Sequence, residues 1–213
     1  MEIDPRTRSR SRLTFIALFA LAVVVAGGVW TWLRSMESER PAGQELAIYG
    51  RVPDAVLVER TGKKISFNEL RGQIWVADFI FTRCAGTCQV MSSQMSGLQK
   101  SLKKAGNVRL VSITVDPEYD TPERLTTYAD RWQADGDRWI FLTGGQEQIQ
   151  RIAVDAFKLP MMEGTDPNEP IIHSTRFVLV DDEGNIRGYY DGLDKEATQR
   201  LVSDVGVLMR EKG

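Results

Sequence analysis

The sequence predicts an α/β fold: a central mixed sheet flanked by helices, preceded by one apolar N-terminal segment. Three observations carry this. Two short apolar runs, Trp75–Phe81 and Val108–Val115, have the character of strands buried on both faces, and they alternate with segments of helical periodicity. A hairpin pattern, Phe177–Val180 and Ile186–Tyr190 around Asp182-Glu183-Gly184-Asn185, leads into a last helix pattern over Lys195–Met209. Finally, Leu13–Leu33 runs for 21 residues without a charge. Strands alternating with helices, then a terminal hairpin and helix, are how a mixed sheet is covered on both faces.

The N-terminal span comes first. At 1.5 Å per residue a helix over Leu13–Leu33 reaches about 30 Å, the thickness of a hydrocarbon layer. Trp30 and Trp32 lie near its far end, where amphipathic rings suit the interface. A cleaved signal peptide is the competing reading, but its apolar core is roughly 7–15 residues, and Ala26-Gly27-Gly28 lacks a clear cleavage pattern. An uncleaved transmembrane anchor over 13–33 is therefore expected. Arg6, Arg8, Arg10 and Arg12 precede it, while Arg34 and Arg40 follow beside Glu37 and Glu39. The positive-inside rule then leaves residues 1–12 in the cytoplasm and the C-terminal domain on the extracytoplasmic, periplasmic side of the cytoplasmic membrane. Residues 34–47, with Pro41-Ala42-Gly43, read as a linker, and 48–213 as one domain. A net charge of −2 offers no basic excess for a phosphate backbone, which argues against nucleic acid as a partner.

Within the domain, Ala55–Val58 and Lys64–Ser66 form a hairpin about Thr61-Gly62. Val90, Met91, Met95, Leu98 and Leu102 mark a helix behind the first buried strand. Thr121-Pro122-Glu123 opens another, with Thr121 or Asp120 as its cap. Trp139–Leu142 is a short strand and Gln146–Phe157 a further helix. Lys158–Pro170, carrying Pro160, Gly164, Pro167 and Pro170, is expected to be irregular; it leads to His173, the only histidine.

The two cysteines, Cys84 and Cys88, fall where a buried strand ends and a helix begins, a place where ligands and chemistry gather in open α/β sheets. Unpaired N–H groups and the macrodipole at a helix N-terminus favour thiolate, and Arg83 beside Cys84 would push the same way. Positions i and i+4 are one turn apart, so both sulfurs can close a disulfide or grip one ion. An exported domain tolerates a plain structural disulfide, although a bridge across three residues restricts the unfolded chain little. Two thiolates and one imidazole form a soft set that suits copper. Structural zinc is usually four-coordinate, and there is no third cysteine or second histidine. His173 alone is a weak signal, since a lone loop histidine is more often a surface or hydrogen-bonded residue.

The segments FIFTRCAGTCQVMSSQMSGLQ, VSITVDPEYDTPERLTTYA, WIFLTG and IIHSTRFVLVDDEGNIRGYYDG, in this order and spacing, resemble the Sco/SenC family. These are thioredoxin-fold, membrane-anchored copper proteins that help assemble cytochrome c oxidase, and the resemblance runs from about Ile48 to the C-terminal helix. It implies a thioredoxin-like fold, copper held as Cu(I) or Cu(II) by Cys84, Cys88 and His173, and a redox-active Cys84–Cys88 pair whose disulfide gates binding. The implied function is a metallochaperone for the binuclear copper centre of the oxidase. Its partner is then the copper-bearing oxidase subunit, with other copper chaperones or thiol reductants beside it. The alternative is a thiol–disulfide oxidoreductase that reduces cysteines of that site. Cys84 would then be the nucleophile and Asp78 a proton acceptor, since thioredoxin-like enzymes have a buried aspartate at about this offset. If Asp78 points inward, desolvation raises its pKa and suits it to acid–base work; otherwise it faces solvent or bonds backbone. Asp116 reads as a turn opener that can also stand near the ligands, and Asp120 as a helix cap. Met91 and Met95 read as core. Many members have proline after each cysteine, where this chain has Ala85 and Gln89. Losing proline's fixed φ loosens the loop and adds two N–H donors near the sulfurs.

Overall fold

The computed structural model describes residues 18–32, 45–166 and 169–211. The chain separates into two compact units, residues 1–45 and 46–213. In the first, residues 18–32 are helical and exposed throughout, and the Thr31 hydroxyl donates to the Gly28 carbonyl at 2.9 Å. Among the described residues no helix is long and apolar enough to cross a membrane. The anchor expected over 13–33 overlaps this helix. Residues 13–17 and Leu33, the arginines before the span, and the linker up to residue 44 lie outside the described residues.

The second unit is an eight-stranded mixed sheet with helices on it. In chain order the strands are β1 (Gly50–Arg51), β2 (Val56–Glu59), β3 (Lys64–Ser66), β4 (Ile74–Ile80), β5 (Val108–Thr114), β6 (Trp139–Thr143), β7 (Met161–Asp166), β8 (Glu169–His173), β9 (Arg176–Val180) and β10 (Asn185–Asp191). The helices are α1 (Thr87–Ser101), α2 (Pro122–Arg131), α3 (Gln146–Arg151) and α4 (Lys195–Glu211). The large sheet has the order β1-β10-β9-β4-β5-β6-β2-β3, with β7 and β8 forming a separate two-stranded ribbon. β4, β5 and β6 run parallel and β9 joins β4 antiparallel.

Sequence dictates the centre. Every residue of β4, IWVADFI, is buried, as expected of a parallel strand with both faces covered. On one face Trp75 and Phe79 meet Phe67 and Phe157, with ring centroids 5.4–5.9 Å apart along Phe67–Trp75, Trp75–Phe157 and Phe79–Phe157. On the other, Asp78, Ser112 and Phe141 are partners across β4, β5 and β6 and so share one face. That face lies under α1 and α2: Tyr128 stands 6.3 Å from the Phe141 ring, and its hydroxyl meets Ser92 Oγ at 2.7 Å. α1 buries Cys88, Met91, Ser92, Met95 and Leu98, the i, i+3, i+4, i+7 stripe of an amphipathic helix. The β9–β10 turn is set by Asp181, whose Oδ1 accepts from the N–H groups of Glu183 and Asn185, with Gly184 at φ +83° where a side chain would be strained.

Two expectations change. The expected irregular stretch 158–170 holds two strands: 161–166 and 169–173 pair as an antiparallel ribbon, with Met161 opposite His173. Proline and glycine disguise it, yet Pro170 is tolerated because a two-stranded ribbon has only edges. The helix expected over Gln146–Phe157 is α-helical only to Arg151 and continues as a π-turn over Ile152–Ala156.

Candidate metal centre

β4 ends at Ile80 and delivers Phe81-Thr82-Arg83-Cys84 to the rim of the sheet, where three anchors hold the segment. Asp120, fully buried, accepts the Thr82 N–H at 3.0 Å on Oδ2, the Thr82 hydroxyl on Oδ1, and the Thr114 hydroxyl at 2.5 Å on Oδ2. Arg83 Nε donates to Asp116 Oδ2 at 2.6 Å, and its guanidinium lies 4.7 Å from the Tyr119 ring centroid. The Cys84 N–H donates to the Phe81 carbonyl at 3.3 Å. Thr121 is the cap of α2, accepting from the Arg124 N–H, so Asp120 is freed for this loop rather than serving as the helix cap. Asp116 opens the turn as expected and in addition holds Arg83.

Both cysteines are buried, and neither is bridged. Cys88 Sγ lies 3.3 Å from His173 Nε2. The ribbon β7–β8 brings His173 from 85 positions along the chain, and the ring stands edge-on to Phe81 at 5.6 Å. His173 Nδ1 is 3.0 Å from the Ser174 carbonyl, which can only accept. Nδ1 therefore carries the proton, and Nε2 turns its lone pair toward sulfur, as in a ligating imidazole oriented from behind. Of the three expected ligands, the structure brings Cys88 and His173 into direct contact. Among the described residues, no three histidine, cysteine, aspartate or glutamate side chains already stand as a finished metal cage.

The two thiols are not equivalent. The hydrogen bond from Cys88 draws the Cys84 thiol down to about 5, aided by the N–H groups of Cys88 and Gly86 and by the Thr87 side chain. The same bond pushes Cys88 up, and burial adds to it. Arg83 does not contribute as its sequence neighbourhood suggests, because its charge is paired with Asp116. Behind Cys88 lies Asp78, fully buried and facing inward. Its Oδ1 accepts from Ser112 Oγ at 2.6 Å, and that oxygen accepts from Trp139 Nε1 at 2.9 Å; Oδ2 is buried without a hydrogen-bond partner. Burial raises the Asp78 carboxyl to about 7. Met91 and Met95 are fully buried core residues, as read. Tyr128, whose hydroxyl reaches the Cys88 carbonyl at 3.5 Å, was not singled out in sequence; its helical spacing marks it only as core.

The SCO1/SenC family model matches residues 52–209. The chain belongs to the SCO1/SenC family. A SCO1 homologue of Bacillus subtilis is 37% identical over 146 residues, covering 68% of this chain and 75% of its own. A protein of Stutzerimonas stutzeri described as copper-binding is 32% identical over 163 residues, 72% of this chain and 78% of its own. The crystal structure of a SCO1/SenC family lipoprotein from Bacillus anthracis superposes with a TM-score of 0.72 at 30% identity, covering 78% of this chain and 99% of that one. BsSco, a Sco-family cytochrome c oxidase assembly protein with a disulfide switch, superposes at 0.69 with 34% identity, over 76% and 96%. The SCO1/SenC fold in this chain is therefore the mixed sheet and helices described above.

Proposed function

We propose that this chain carries copper for assembly of the binuclear copper centre of cytochrome c oxidase, holding the ion through Cys84, Cys88 and His173. The observation that supports this most directly is the 3.3 Å approach of His173 Nε2 to Cys88 Sγ, four residues beyond Cys84 on the same strand-to-helix turn. Two sulfurs and one oriented imidazole nitrogen, in a buried site, fit the preference of copper for soft and borderline donors. Copper is cargo here. One thiol is already disposed to ionise, the other must give up its proton on binding, and a Cys84–Cys88 disulfide would leave no thiolate to ligate. The membership of BsSco among oxidase assembly proteins supports the recipient. The uncharged run Leu13–Leu33 supports a single transmembrane anchor, with residues 48–213 outside the cytoplasm.

Titration of the reduced full chain with Cu(I) and Cu(II) tests the reading. Cys84→Ser, Cys88→Ser and His173→Ala should each weaken binding at least about 100-fold, the upper end of what losing even a supporting partner costs. Wild-type Cu(II) affinity in His173→Ala would end the three-ligand assignment.

A second reading draws on the inequality of the thiols and on Asp78: a thiol–disulfide oxidoreductase acting on cysteines of the oxidase copper site. Cys84 is the nucleophile and Cys88 resolves the mixed disulfide, with the buried Asp78 carboxylate taking its proton. Asp78→Asn separates the two. Loss of disulfide reduction with copper binding intact favours the reductase; retention of both favours the carrier.

A further inference from the structure

The backbone between the two cysteines is sparsely held. Ala85 and Gly86 are exposed, and Gly86 starts α1 with no side-chain cap and no acidic residue in the first turn. The chain on either side is fixed: Thr82 and Arg83 by Asp120 and Asp116, Cys88 by burial in the core. Across the gap reaches Gln89. Its Nε2 donates to the Cys84 carbonyl at 2.9 Å, while its backbone N–H donates to the Gly86 carbonyl at 3.1 Å. The side-chain bond closes a ring containing both cysteines. It ties the backbone of Cys84 to the first turn of the helix that carries Cys88.

We propose that Gln89 is a positioning residue for the thiol pair: its amide braces the Cys84 carbonyl and holds the Cys84 backbone in its present conformation, favouring the dithiol over the disulfide. Closing a disulfide brings the sulfurs to about 2 Å with a fixed dihedral. Cys84 must then turn against a carbonyl that is tied down, so the brace opposes closure. Proline at this position has no side-chain donor, so the brace is specific to a residue such as glutamine.

The test is equilibration of the reduced full chain with oxidised glutathione. Two S–H bonds and the glutathione disulfide break; the Cys84–Cys88 bond and two glutathione S–H bonds form, so two electrons and two protons pass to glutathione. Gln89→Leu keeps the bulk and loses the donor. One neutral hydrogen bond is worth roughly a three- to tenfold factor, so the constant should move three- to tenfold toward the disulfide. Tenfold corresponds to a potential about 30 mV more negative. Val90→Ala, an exposed neighbour on the same turn, should leave the constant unchanged. A shift of twofold or less in Gln89→Leu overturns the proposal, and so does an equal shift in Val90→Ala. The inference rests on the copper-site reading only for its consequence that Gln89→Leu also weakens Cu(I) binding and moves the sulfur-to-copper charge-transfer band. A redox shift in a chain that binds no copper would overturn that reading and leave the brace standing. Copper binding with an unmoved redox constant does the reverse.

Discussion

Asp78→Asn should abolish a pH dependence of stability that the wild-type chain carries. The carboxyl is fully buried, makes one hydrogen bond, from Ser112, and is raised by burial from 3.8 to about 7. Between those values the folded protein keeps a proton that the unfolded chain has released. Stability therefore falls as pH rises through the window from about 4 to 7 and levels off above it. One pKa unit is about 1.4 kcal/mol, so the two units from pH 5 to pH 7 cost roughly 3 kcal/mol. Asparagine stays neutral and keeps an oxygen for the Ser112 hydroxyl. Its buried N–H₂, standing where Oδ2 has no partner, adds a penalty of about 1–3 kcal/mol that does not vary with pH. Urea unfolding of the reduced wild type and variant at pH 5, 6, 7 and 8 gives the difference curve, in which other titrations, Cys84 among them, largely cancel. Variant minus wild type should climb by roughly 3 kcal/mol from pH 5 to 7 and then flatten. A flat difference would mean that Asp78 is ionised across the whole range, with water reaching it, and the burial argument would fall.

Ultraviolet thiolate absorbance should show one thiol half-titrated near pH 5, absent in Cys84→Ser. A depressed thiol stabilises the fold most above pH 9 and loses that contribution as pH falls through 5; a first midpoint near the ordinary 9 would contradict the assignment. Asp120→Ala strands the Thr82 N–H and the Thr82 and Thr114 hydroxyls in a buried site, and should lower unfolding free energy by roughly 2–4 kcal/mol. A loss below about 1 kcal/mol in urea unfolding would show that the loop finds other anchors. Arg83→Met removes a pair whose arginine is 41% exposed, and should cost less than about 1 kcal/mol. It should also leave the Cys84 midpoint in place; a rise of a full unit would restore Arg83 as a cause of the low value.

What could be read from sequence follows from how local each feature is. β4 and β5 were legible because a strand covered on both faces writes an unbroken apolar run, and α1 because its stripe repeats at helical spacing. The same continuity hid the direction of Asp78: where both faces are apolar, no polar face tells which way one carboxylate points. The β7–β8 ribbon was not legible, since its pairing is specified by register rather than by an apolar pattern that prolines and glycines had already broken. Asp120 reads locally as a cap beside Thr-Pro, and only a contact 38 residues away reveals its hold on Thr82. Arg83 shows the converse error, because adjacency in sequence says nothing about where a guanidinium points. The approach of His173 to Cys88 was expected only through the resemblance; the lone histidine carried little on its own.

One sulfur geometry serves both readings of the site, and the unequal protons explain how. Cys84 is the thiol inclined to ionise, on a loop that Asp120 anchors two residues earlier at Thr82, with the N–H groups of a helix start directed to it. Cys88 keeps its proton, faces the unprotonated nitrogen of His173 on one side, and has Asp78 behind it on the other. A disulfide on a substrate would meet the Cys84 thiolate first, and Cys88 could act only after losing its proton. A metal ion would likewise find one thiolate ready, and would complete its set only by displacing the proton that Cys88 keeps. In each case the second step is deprotonation of the same buried thiol. The discriminating residue is then not either cysteine but the group that takes that proton: His173, whose Nε2 a bound ion would occupy, or Asp78, whose free Oδ2 it would not.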